Sequence, residues 1–146
     1  MSRQSGFLEF KLDYSATKNL AIGAVVSSKD ISAGGHIWRV NCYPRGTKEA
    51  DDHGAYLSVG LQLLSKSKNV KAIFDVFVME KDGNPSSSHA QRCVHVYPPE
   101  RFVSWGFAQF VKRSDLESLY VTKNGSVTIM CGMLEYNVTL ISASLR

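Results

Sequence analysis

Hydrophobic and polar positions alternate with a period of two through most of the chain. From Tyr56 to Leu64 the odd positions Leu57, Val59, Leu61 and Leu63 are apolar. The intervening Tyr56, Ser58, Gly60 and Gln62 are smaller or more polar. Successive side chains of a strand point to opposite faces, so this segment predicts a half-buried strand with Gly60 and Gln62 outward. In Val70–Met79 the even positions (Val70, Ala72, Phe74, Val76, Val78) are all apolar and predict a core face. The other face, with Lys71, Ile73, Asp75, Phe77 and Met79, is mixed. Further strands are expected at Phe7–Leu12, Ala24–Ser28, His36–Cys42, Ala90–Tyr97 and Ser126–Gly132, with Asn137–Ile141 adding or continuing one.

Turn-forming residues punctuate the pattern at Gly34-Gly35, Pro44-Arg45-Gly46, Asp51–Gly54, Pro98-Pro99 and Asn124-Gly125. Lys81-Asp82-Gly83-Asn84-Pro85 predicts a tight turn, with Ser86–Ser88 read as its extension. Many short strands at this spacing predict an all-β antiparallel sandwich or barrel. One stretch, Gln109–Leu119, has Phe110, Val111, Leu116 and Leu119 at helix-compatible positions, and Ser114-Asp115 there reads equally as a cap opening a short turn.

Composition fits one ordinary domain. The 146 residues are 44% hydrophobic and 21% charged, outside the disordered range and long enough to close a core without staples. No apolar run reaches the ~20 residues that cross a bilayer, and the first residues do not read as a secretory signal, so a cytoplasmic or nuclear protein is expected. The net charge of +4 gathers around Lys66, Lys68 and Lys71 without interleaved aromatics, which reads as a solvated turn rather than a nucleic-acid surface.

Chemistry is sparse. Cys42, Cys93 and Cys131 form no CxxC pair and sit in apolar stretches, as buried thiols do. Cys93 and His95 share a strand face, an arrangement that packing explains more simply than nucleophile and base. Asp51-Asp52-His53 lies in a loop whose adjacent residues converge poorly on an ion. The expectation is a binding protein with no catalytic residue, no metal and no cofactor.

Several segments, in order, resemble one family. Gly34-Gly35-His36 through Trp38-Arg39-Val40-Asn41-Cys42-Tyr43-Pro44-Arg45-Gly46, then Tyr56–Val59, then Trp105-Gly106-Phe107 followed by Phe110 and Lys112-Arg113-Ser114-Asp115-Leu116, resemble the MATH (TRAF-like) domain. The strand Val127–Cys131 fits its close, and Glu9-Phe10 with Tyr14-Ser15 resembles plant members in which the domain precedes a BTB/POZ domain. The resemblance covers about 7–141 and implies a single domain folded as an eight-stranded antiparallel sandwich. It implies a peptide receptor that adds an extended ligand to a strand edge. In the relatives a BTB domain then recruits a cullin 3-based ubiquitin ligase. The alternative is a TRAF-like oligomeric signalling scaffold. No heptad segment precedes the domain, so a monomer is expected.

Carried over residue by residue, the resemblance implies a groove of Gly60, Gln62, Phe74, Ala90, Val94, Val103, Ser104, Trp105, Gly106 and Phe107. Phe74, Trp105, Gly106 and Phe107 match the family; Gly60, Ala90 and Val94 stand where it has tyrosine, serine and tyrosine; Val103-Ser104 replace a Lys-Asp pair. The lost hydroxyls imply a less polar ligand, with a bulky side chain over Gly60. For Phe74 the alternation reads core and the family place reads groove, and both stay open.

Overall fold

In the computed structural model, residues 5–50, 52–66, 69–97 and 104–135 are described. They form nine strands: β1 (Ser5–Asp13), β2 (Val26–Ser27), β3 (Ile31–Ala33), β4 (His36–Tyr43), β5 (Tyr56–Leu63), β6 (Val70–Met79), β7 (Pro85–Tyr97), β8 (Ser104–Lys112) and β9 (Ser126–Glu135). All pairings are antiparallel. One sheet runs β1-β9-β6-β7; the other runs β2-β4-β5-β8, with β3 also on β4. This is the antiparallel sandwich that the alternation predicts. Its ninth strand is the three-residue β3, which Gly34 and Gly35, both at positive φ, fold back onto β4. Asn137–Ile141, Pro98-Pro99 and Val103 lie outside the described residues.

The core is made by the predicted inward faces. Leu57, Val59, Leu61 and Leu63 of β5 oppose Val70, Ala72, Phe74, Val76 and Val78 of β6, and all are buried. Trp38 of β4 and Tyr97 of β7 meet edge-to-face at 5.3 Å between the sheets. Both polar ends are satisfied: the Trp38 indole N–H donates to the Ala33 carbonyl (3.0 Å), and the Tyr97 hydroxyl donates to the Leu61 carbonyl (2.8 Å). A buried N–H or O–H without a partner costs about 1–3 kcal/mol, so these two bonds let large aromatics cross the core.

Two local expectations are corrected. The Ser86–Ser88 run belongs to β7 rather than to the turn. The β6–β7 turn is already closed by Gly83 N–H to the Glu80 carbonyl (2.9 Å) and Glu80 N–H to the Asn84 carbonyl (2.7 Å), with Gly83 at φ 87°. Ser86 is buried and shares a 2.7 Å hydrogen bond with the Tyr120 hydroxyl, a partner that local sequence does not reveal. Likewise Gln109–Lys112 extend β8, and helical geometry starts only at Arg113, beside Ser114-Asp115, in keeping with the short turn that is the other reading of this stretch. The register of β8 against β5 slips between Leu57 and Val59, so Phe110 and Val111 are both buried, which imitates a helical spacing.

Cys42 and Cys131 lie in the core with no disulfide, and Cys93 is a half-buried free thiol. Burial pushes the thiols of Cys42 and Cys131 up from the usual 9.0, that of Cys131 to about 12. Unfolded thiols therefore ionise before folded ones. Stability is full below about pH 9 and is expected to fall as pH rises toward the folded values, because unfolding then releases protons. Thermal melts between pH 7 and pH 10 check this: the midpoint should drop above about pH 9, and much less in a Cys42→Ala/Cys131→Ala double variant.

Candidate functional site

β8 is the edge strand of its sheet and pairs with β5 alone among the described residues. Its register sets Ser104 opposite Gln62, Trp105 opposite Leu61, Gly106 opposite Gly60 and Phe107 opposite Val59. Directly paired residues share a face of the sheet. Trp105 and Phe107 therefore point to the core side with Leu61 and Val59, while Ser104 and Gly106 lie outward with Gln62 and Gly60. The Trp-Gly-Phe segment contributes to two surfaces rather than one.

On the core side, Phe107 stacks on Phe74 with ring centres 6.0 Å apart and planes 12° apart. Phe74 is only 1% exposed, so it supports Phe107 from beneath and is itself core. Trp105 sits at the open seam between β8 and β7, the edge strand of the other sheet. One face of its ring lies 3.9 Å from the imidazole of His95, yet 43% of the residue remains exposed. The seam thus presents a bare indole beside an edge strand.

On the outward side, a groove of about 390 Å³ runs over Gly60 and Gly106, bounded by Tyr43, Glu49, Ser58 and Ser104. Glycine at 106 is required by close approach: a Cβ there would run into the Val59 carbonyl. A Cβ at Gly60 would stand 2.8 Å from the Ser104 Cβ. The groove over Gly60 is thus bounded on one side by the Ser104 side chain. Asn41, paired across from Gly60 and only 6% exposed, lies behind that side chain. Its amide donates to Gln62 Oε1 (2.9 Å) and to Ser104 Oγ (2.5 Å), and its Oδ1 accepts from the Ser27 hydroxyl (2.7 Å). The Ser58 hydroxyl bonds the Ala108 carbonyl and fixes the slipped register of β8. Asn41, Tyr43, Glu49 and Ser58 were not among the sequence candidates. The outward positions of β4, set beside those of β5, are the signal that would have found Asn41 and Tyr43.

Ala90 and Val94 lie elsewhere. They pair with Phe77 and Ile73 and face outward from the other sheet. There Leu134, Ile73 and Val94 form one cross-strand apolar row, flanked by Phe7 and Val96, so this sheet has a more apolar outer face than the sequence suggests. Of the candidates, the structure brings together Gly60, Gln62, Ser104, Trp105, Gly106 and Phe107 around β8, with Phe74 behind them. It does not bring Ala90 and Val94 there, and Val103 is outside the described residues.

Cys93 and His95 do share the core-side face of β7. Burial and the Asp75 carboxylate push the Cys93 thiol up, and burial pulls His95 down. An attacking thiolate with a histidine partner needs its thiol pulled down. His95 is committed to the Trp105 stack, its Nε2 buried without a hydrogen-bond partner among the described residues. Of the Asp51-Asp52-His53 cluster, Asp51 lies outside the described residues, and Asp52 acts as a turn former, accepting from the Gly54 N–H (3.1 Å).

Comparison with known proteins gives the same architecture a family. The chain matches the family model described as the MATH domain over residues 12–133. It is 32% identical over 124 residues to BTB/POZ and MATH domain-containing protein 5 of Arabidopsis thaliana, covering 81% of this chain and 30% of that protein. Against BTB/POZ and MATH domain-containing protein 3 of the same plant it is 31% identical, with the same coverage. The chain therefore spans less than a third of the length of these curated relatives. Notothenia coriiceps TRAF5 shares the fold, with a TM-score of 0.56 at 15% identity over 91% of this chain and 74% of that one. The sandwich and these matches agree, and the chain belongs to the MATH domain family of protein-interaction modules.

Proposed function

We propose that this domain captures an extended segment of a substrate protein along the outer edge of β8, with the outward groove receiving alternate side chains of the ligand. The observation that carries this reading is an edge strand flanked on one side by an exposed indole and on the other by a glycine-floored groove. An added strand gains affinity from main-chain hydrogen bonds and specificity from the side-chain pockets beside them. The BTB/POZ part named in the plant relatives supports a second step: in a parent protein carrying such a domain, the captured substrate is delivered to a cullin 3 ubiquitin ligase, in the cytoplasm or nucleus. Neither step needs a catalytic residue, metal or cofactor in this domain.

The test is to select random linear peptides on the folded domain and map them by amide chemical shifts. The expected shifts concentrate on Trp105–Ala108 and on Val59–Gly60 of β5. Shifts confined to Ile73, Val94 and Leu134 would instead place the ligand on the other sheet and overturn the proposal.

A further inference from the structure

We infer that Asn41 decides which side chains the groove accepts, by bridging across Gly60 and holding the Ser104 side chain in the groove wall. The inference rests on the peptide-capture reading above. Asn41 and Gly60 are direct cross-strand partners on the outward face, and Gly60 is paired in turn with Gly106. With no side chain at position 60, the Asn41 amide crosses β5 and reaches Ser104 on β8 at 2.5 Å, touching Gln62 at 2.9 Å on the way. The Ser27 hydroxyl, 2.7 Å from Oδ1, holds the other end of the amide. Four strands, β2, β4, β5 and β8, are thereby tied by one buried side chain.

The consequence for a ligand follows from what the wall is made of. At Ser104 it presents a hydroxyl, held from behind by the buried Asn41 amide, not apolar area. A bulky apolar side chain pressed against that hydroxyl would strip its water and return no hydrogen bond, a loss comparable to leaving a polar group unsatisfied. A short or hydrogen-bonding side chain avoids that loss. Truncating Asn41 releases the Ser104 side chain to turn away and widens the groove over Gly60. The preference for a bulky side chain expected from the sequence should therefore appear only in the truncated variant.

The experiment selects a displayed library of random linear peptides on the parent, on Asn41→Ala and on Ser104→Gly. The last two remove opposite ends of the same bridge, so misfolding of either leaves the other to decide. Parent-selected peptides should carry Ser, Thr, Asn or another short polar residue at one fixed position. Both variants should enrich Leu, Phe or Tyr there by about tenfold relative to the parent. Identical selection by all three, with shifts still mapping to β8, overturns the role of Asn41 and leaves peptide capture standing. Shifts that map away from β8 in the parent, or no selection by a folded parent, count against peptide capture and the Asn41 role together.

Discussion

Phe74→Ala is expected to lower the stability of the fold by about 3–5 kcal/mol, the range for removing a buried phenylalanine ring. Phe74 lies on β6, a central strand flanked by β7 and β9, and is 1% exposed. Its ring is also the surface on which Phe107 of the opposite sheet stacks. Truncation therefore loses the transfer energy of the ring and leaves a cavity at the only aromatic stack joining β6 to β8 among the described residues. Natural domains are stable by roughly 5–15 kcal/mol in total, so this single change consumes a large fraction. Denaturant unfolding followed by tryptophan fluorescence measures it. Phe74→Leu, which keeps most of the volume, should cost markedly less. A loss below about 1 kcal/mol for Phe74→Ala would mean that the ring is not packed as described.

The strands were legible because their information is local. Alternation in Tyr56–Leu64 and Val70–Met79 assigns inward and outward faces residue by residue, and the inward sets of β5 and β6 are buried as it predicts, although the outward Ser58 and Gly60 are buried as well. What the sequence did not carry is the relation between strands. Whether Trp105 and Phe107 face core or solvent depends on their being opposite Leu61 and Val59, a pairing across more than forty positions. The slip beyond Phe107 is equally non-local, and it made Phe110 and Val111 look like one face of a helix. Ser86–Ser88 read as a turn because the Tyr120 hydroxyl that draws Ser86 inward lies 34 residues away. Family position puts Ala90 and Val94 in the groove, yet their register against Phe77 and Ile73 turns them to the outer face of the other sheet. Asn41 gives no local signal in the sequence for a related reason. An asparagine in a strand is unremarkable until the missing side chain at Gly60 is seen to give it a path to β8.

Trp105→Ala should weaken binding of a peptide selected on the parent by about thirtyfold, corresponding to ~2 kcal/mol, the loss expected at an aromatic anchor of an interface. The indole is placed for such a role. It projects from the edge strand into the seam between the sheets, one face resting on His95 and 43% of the residue open to a ligand. A strand added to β8 would cover that remaining surface, so most of the apolar area of the ring is buried only in the complex. For the same reason the substitution should disturb folding less than Phe74→Ala does. His95→Ala separates the two contributions: it removes the ring beneath the indole while leaving the ligand-facing side in place, and should weaken binding by severalfold at most, about 1 kcal/mol or less. Titration calorimetry with one peptide against the parent and both variants, each checked by thermal melts, reads the difference directly. Equal binding by Trp105→Ala at equal stability would move the ligand off this edge. The apolar row of Leu134, Ile73 and Val94 on the opposite sheet would then be the next surface to test.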